Sequence, residues 1–178
     1  MQYSTFKKGE LFEKFVEDEL FKPSEYTLIH RTNSQAQNET RYAEDTLKPD
    51  FKFRCNKTQQ EFYVEAKFRS GFNANDKIDV ISYSQIERFK VLQKEENRPI
   101  YIAIGYGGYP NNPNYVSLIQ LDELSYLELY DSFLRRFHIA KTVVNRRRLN
   151  LPITEQPEVS SADKPEVSSD DPLTCPSG

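Results

Sequence analysis

Ile100 to Ile104 is a nearly continuous apolar run, the pattern of a strand covered on both faces. A strand of that kind takes its place inside a sheet with packed layers on either side, so it restricts the fold more than any other stretch. Pro99 separates it from a predicted helix over about Ser82 to Glu96, whose stripe includes Ile86, Phe89 and Leu92 or Gln93. Upstream, Leu11, Phe12, Phe15, Val16 and Leu20 share one side of a helix over Lys7 to Leu20. Tyr26 to Arg31 reads as a short strand and the polar Asn33 to Glu39 as a loop. Strands follow at about Asp50 to Cys55 and Glu61 to Phe68. Asn56-Lys57-Thr58 between them has the composition of a hairpin turn, which makes the two antiparallel neighbours. Ser70 to Asp79 is read as a Gly- and Asn-containing connection. Tyr115 to Leu121 gives a further strand, and Leu124, Leu127 and Leu134 predict a helix over Asp122 to Arg136. The order α-β-β-β-α-β-β-α makes this an α/β chain.

The chain of 178 residues suits one domain better than two. Its composition changes after Leu149. Residues 157 to 161 read Pro-Glu-Val-Ser-Ser and repeat at 165 to 169, a Pro-, Ser- and acid-rich composition that builds no core. The expected division is a folded domain over 1–150 and a disordered acidic tail over 151–178. The net charge of -3 is set by that tail, which holds six acids and one base. Removing them from 27 acids and 24 bases leaves 23 bases against 21 acids in the domain, a net of +2 that neither demands nor forbids a phosphate-rich partner. Cys55 and Cys175 make a disulfide framework improbable. No signal peptide is legible behind Lys7-Lys8, and no stretch approaches the roughly 18 apolar residues of a membrane span. The expectation is a cytoplasmic protein without a membrane partner.

The strand at 62–68 carries the chemistry. Its alternation sends Tyr63, Glu65 and Lys67 to one face and Phe62, Val64, Ala66 and Phe68 to the other. Asp50 lies at the start of the preceding strand, with Phe51 and Phe53 alternating away from it, so a hairpin can gather Asp50, Glu65 and Lys67. Two carboxylates and a lysine supply what phosphodiester hydrolysis requires: hard oxygen ligands for a divalent cation, and positive charge where the transition state accumulates negative charge.

Pro49-Asp50 followed by Glu65-Ala66-Lys67 resembles the PD-(D/E)xK nuclease superfamily. Gly9-Glu10-Leu11-Phe12-Glu13 is similar to that superfamily's first-helix pattern, and Gln85, with Arg88 and Phe89 close behind, to the helical Gln of some of its branches. The resemblance spans roughly residues 9 to 105. It implies a restriction-endonuclease-like three-layer fold, with a central mixed sheet of four to five strands flanked by helices. It further implies a Mg2+- or Mn2+-dependent nuclease, an endonuclease leaving 5′-phosphate ends, with DNA favoured over RNA. Asp50 and Glu65 would bind the metal and Glu13 would complete its shell. Lys67 would orient the attacking water and neutralise the phosphate, with Gln85 in support.

Other readings of the same residues stay open. Glu65 and Lys67 also suit an ordinary ion pair on a solvated strand. Asp50-Phe51-Lys52 fits the shorter motif as well, and Glu10, Glu17 and Glu19 compete with Glu13. A catalytically silent module of the same fold, binding nucleic acid or a protein, is the main alternative to an enzyme; homodimerisation, and recruitment of a protein by the tail, are left open. Arg135, Arg136, His138, Lys141 and Arg146-Arg147-Arg148 form the densest basic cluster; its arginines and Arg69 are candidate phosphate contacts, and the cluster equally suits a solubilising surface. Tyr106, Tyr109 and Tyr115 suit either base stacking or loop packing. Pro110 and Pro113 follow Gly105 to Gly108 where a nucleotide-cradling loop needs a helix, which excludes a Rossmann or Walker site. His30 and His138 have no partner at zinc-ligand spacing.

Overall fold

The structure, a computed structural model, describes residues 3–32 and 47–151. The stretch read as a loop at 33–39, Cys175 and the tail from 152 onward lie outside the described residues. Ser4 caps the first helix, α1 (Thr5–Phe15), its hydroxyl accepting from Lys7 N at 3.2 Å. The helix runs on into a wider π turn, Val16–Leu20. That last turn brings Val16, Leu20 and then Phe21 all into the core, where Phe21 stacks on Phe53 at 4.8 Å between ring centroids.

β1 (Tyr26–Arg31), β2 (Phe51–Cys55) and β3 (Glu61–Arg69) form an antiparallel meander, in which the turn residues predicted the pairing of β2 with β3. After β3 the chain crosses through β4 (Lys77–Asp79) and α2 (Tyr83–Glu96) to β5 (Ile100–Tyr109), which pairs parallel with β3. β6 (Asn112–Gln120) returns antiparallel beside β5. The five-stranded mixed sheet therefore has the order β1-β2-β3-β5-β6, with β3 at its centre and β5 inside, as the apolar run at 100–104 required. One face packs Phe62, Val64, Phe68, Tyr101 and Ala103 against α1. The other packs Tyr63, Ile100, Ile102 and Ile104 against Ile86 and Phe89 of α2. Helices flank both faces of the sheet, as expected.

The helix expected over Asp122 to Arg136 is not formed. Instead a 3-10 turn at Leu121–Glu123 leads to β7 (Glu128–Tyr130), and only Asp131–Arg135 is helical (α3). β7 pairs with β4, a strand that lay hidden within the connection read over 70–79. The leucine spacing suggested a helix, but Leu127 is exposed whereas Leu129, which was outside the stripe, is buried opposite Ile78. A tertiary strand pairing has overridden a weak local pattern.

Gly105 fixes how closely α1 approaches the sheet. A β-carbon there would stand 2.2 Å from Cε2 of the fully buried Phe12 ring, the residue before Glu13. Gly105→Ala is expected to cost about 1–3 kcal/mol through overpacking, lowering the melting temperature by about 2–4 °C per kcal/mol in a domain of this size. A thermal melt checks this, and an unchanged midpoint would show that Phe12 moves freely.

Candidate active site

The register of β2 on β3, Phe51 against Val64, places Asp50 one step beyond the last pair and opposite Glu65. Here the two strands part. β3 continues to Arg69 without β2 beside it, and side chains replace the backbone ladder. Asp50 Oδ2 accepts from Ala66 N at 2.7 Å, and Asp50 N donates to Glu65 Oε2 at 3.3 Å. The end of β1 steadies this point, with Thr32 N donating to Asp50 O at 2.8 Å and Thr32 Oγ1 to Pro49 O at 2.9 Å.

Glu65 is 3 % exposed, and a carboxylate so buried must be paired. Its Oε1 meets Lys67 Nζ, two residues along the same face. Gln85 Nε2 donates to the same oxygen at 3.3 Å. Gln85 also belongs to a capping box: Ser82 Oγ accepts from Gln85 N, and Gln85 Oε1 accepts from Ser82 N. One side chain thus caps the start of the helix and touches the site. The sequence signal for this is Ser82 three residues ahead of Gln85, the spacing of a capping box, which fixes where α2 begins.

Asp50, Glu65, Lys67 and Gln85 are therefore brought together. Lys52, the rival lysine of the shorter motif, is not among them. It bonds Glu96 at 3.1 Å and lies 3.3 Å from Glu61, over the Tyr63 ring. Among the first-helix acids, Glu10 pairs with Lys7, Glu17 with Arg31 and Glu19 with Lys22. Glu13 stands near enough to Asp50 for its charge to act there, while its Oε2 lies 3.3 Å from Arg31 Nη2. Arg31, which no motif singled out, therefore ties down two of the four candidates. Burial, then the charge of Glu65, push the Asp50 carboxyl well above the ordinary range; the Ala66 N–H opposes them and Glu13 adds to them.

Among the described residues no three His, Cys, Asp or Glu side chains form a metal-ligand group. The donors that do meet are two carboxylates, hard oxygen ligands suited to Mg2+ or Mn2+. Their mutual repulsion at Asp50 is of the kind a divalent cation relieves, so the pair fits a metal.

The proposed phosphate contacts do not gather here. Arg69 is engaged internally, donating to Asp79 O at 2.7 Å and Phe68 O at 3.0 Å, and burial lowers its pKa. Arg135 pairs with Asp131, and Arg136 lies over the Phe133 and Phe137 rings. Arg146–Leu149 forms a 3-10 turn anchored by Leu149, which packs with the α1 side of the sheet, the face opposite Glu65.

No family model matches the chain, and no curated protein matches it. Among solved structures it is similar to the Holliday junction resolvase Hjc of Archaeoglobus fulgidus, at 12% identity and TM-score 0.44, over 64% of this chain and 81% of that one. A likeness this distant fixes neither family nor activity. Among the described residues, no helix is long and apolar enough to cross a membrane.

Proposed function

We propose that residues 1–150 form a divalent-metal-dependent nuclease domain acting on phosphodiester bonds, DNA before RNA, and that 151–178 is an appendage outside the chemistry. The reading is carried by one observation. Where β2 and β3 part, Asp50 and Glu65 are held together by backbone N–H groups, with Lys67 and Gln85 on the same Glu65 oxygen. Asp50 and Glu65 would hold the cation, and Glu13 would join them by giving up Arg31. The bound cation would polarise the phosphate and acidify a water. Lys67, 21% exposed, would leave Glu65 for the phosphate as charge develops there, while Gln85 keeps the Glu65 carboxylate aimed.

The test is cleavage of supercoiled plasmid and labelled oligonucleotides with Mg2+, Mn2+ or chelator. Metal-dependent cutting is expected, and it should be unchanged in a chain ended after Leu151. An absence of cutting on every substrate, together with no metal binding by calorimetry in a normally folded protein, would favour the silent binding module.

A further inference from the structure

The face that carries Glu65 and Lys67 does not end at the acids. Lys67 lies beside Ile104 on β5, and two residues further along that face comes Tyr106, which is directly opposite Tyr115 on β6. These two rings belong to a larger cluster. Phe72 meets Tyr106 edge-on at 5.8 Å, Tyr106 packs on Tyr115 at 5.4 Å, and His138 stacks on Tyr115 at 5.3 Å with 11° between the planes. His138 is placed by a bridge to Ser117 and by a bond between its Nε2 and the Tyr106 hydroxyl.

Tyr106 is buried and structural. Tyr115, by contrast, keeps 53% of its surface exposed, and Phe72 39%, although neighbouring rings fix both. A large ring that is already ordered yet half open loses little further entropy when another ring lies on it. Burial holds the His138 imidazole below its ordinary pKa, so the stack under Tyr115 stays uncharged near neutrality. Three residues after His138, Lys141 Nζ bonds neutral oxygens, Asn112 Oδ1 at 3.0 Å and Pro113 O at 2.9 Å, the latter two residues before Tyr115 on the same strand. It makes no ion pair with an acid among the described residues. The acid that touches the platform, Asp131, which accepts from the Tyr106 hydroxyl at 3.5 Å, is paired with Arg135, so an aromatic platform followed along both chain segments by an unneutralised cation matches a nucleobase and its phosphate. From Lys67 to Tyr115 is two strand spacings across and two residues along, about 12 Å, or three to four base steps of about 3.4 Å.

We propose that Phe72, Tyr115 and His138, seated on Tyr106, form a stacking platform for an unpaired base of the strand held at Asp50, Glu65 and Lys67, which makes single-stranded or frayed nucleic acid the preferred ligand. The location of that strand rests on the nuclease reading; the platform itself is read by binding, without cleavage.

The experiment measures fluorescence anisotropy of short single-stranded DNA, its RNA counterpart and a blunt duplex, in chelator, with full-length protein. Tyr115→Ala is expected to weaken single-strand binding about tenfold or more, with duplex binding unchanged and Tyr115→Phe restoring it. Circular dichroism and a melt confirm that the variants fold. Single-strand binding by Tyr115→Ala equal to wild type overturns the platform, as does a wild type that binds neither single strand or a variant that weakens duplex equally. If wild type cuts nothing with metal, yet the Tyr115-dependent loss is present, the nuclease reading fails and the platform stands.

Discussion

Lys67→Ala is expected to lower the single-turnover cleavage rate by about 10²–10³-fold while leaving nucleic-acid affinity in chelator within a few-fold of wild type. The magnitude is that of removing one preorganised electrostatic donor from a water-poor site. Glu65 is 3 % exposed and would still accept from Gln85 Nε2 and Asp50 N, so the acid is not left wholly unpaired. Losing the ammonium nonetheless exposes Asp50 and Glu65 to each other's charge. The metal-free variant should therefore melt earlier, and added Mg2+ should recover more stability than it gives wild type. Lys67→Arg keeps the charge and loses the compact ammonium geometry, and should recover stability better than rate. A Lys67→Ala enzyme that cuts within a few-fold of wild type would reduce the Glu65–Lys67 contact to the ordinary ion pair that strand alternation also allowed.

The parts of the fold that could be read in the sequence are those whose local pattern and tertiary role agree. The alternation over 62–68 and the apolar run at 100–104 each have one solution, a half-polar strand and a doubly covered one, and β3 and β5 are those strands side by side. Leu124, Leu127 and Leu134 fit a helix locally, yet a three-residue pairing between β4 and β7, too short to leave a pattern in either segment, decides the outcome. The same holds for the site. Asp50 and Glu65 could be brought together on paper because hairpin register is local. Gln85 needed a resemblance, since its reach to Glu65 depends on where a helix after a crossover begins. The preference for Glu13 over its neighbours turns on Asp50, while Arg31, from a different element, holds both Glu13 and Glu17. Charge clustering along the chain does not report position in the fold. Arg146 to Arg148 are adjacent to one another but lie on the sheet face away from Glu65, and Arg69 commits its donors to backbone carbonyls.

Asp50→Asn is expected to abolish metal-dependent cleavage and at the same time to stabilise the metal-free protein, by about 0.5–2 kcal/mol. The two effects share one cause. Asp50 is half-buried next to Glu65, with Glu13 close enough to add its charge, and its carboxyl is held well above the ordinary range. A folded-state value above the unfolded one means that the native protein takes up the proton more readily than the unfolded chain. The ionised carboxylate is therefore a liability to the fold, at its fullest above the folded value. The penalty is relieved as pH falls through that value, and it is gone once pH is below the unfolded value as well. The amide of the Asp50→Asn variant would keep an oxygen for the Ala66 N–H and carry no charge, so its gain over wild type should shrink on acidification. Mg2+ should raise the wild-type midpoint and leave the Asp50→Asn midpoint nearly unmoved, because the variant has lost one of the two carboxylates that meet there. Thermal melts of both proteins across pH, with chelator and with Mg2+, provide the measurement. A less stable Asp50→Asn protein in chelator at neutral pH would show that Asp50 serves the fold as a hydrogen-bonded anion. A more stable but inactive one would be the signature of a charge kept at a cost in stability because a cation needs it.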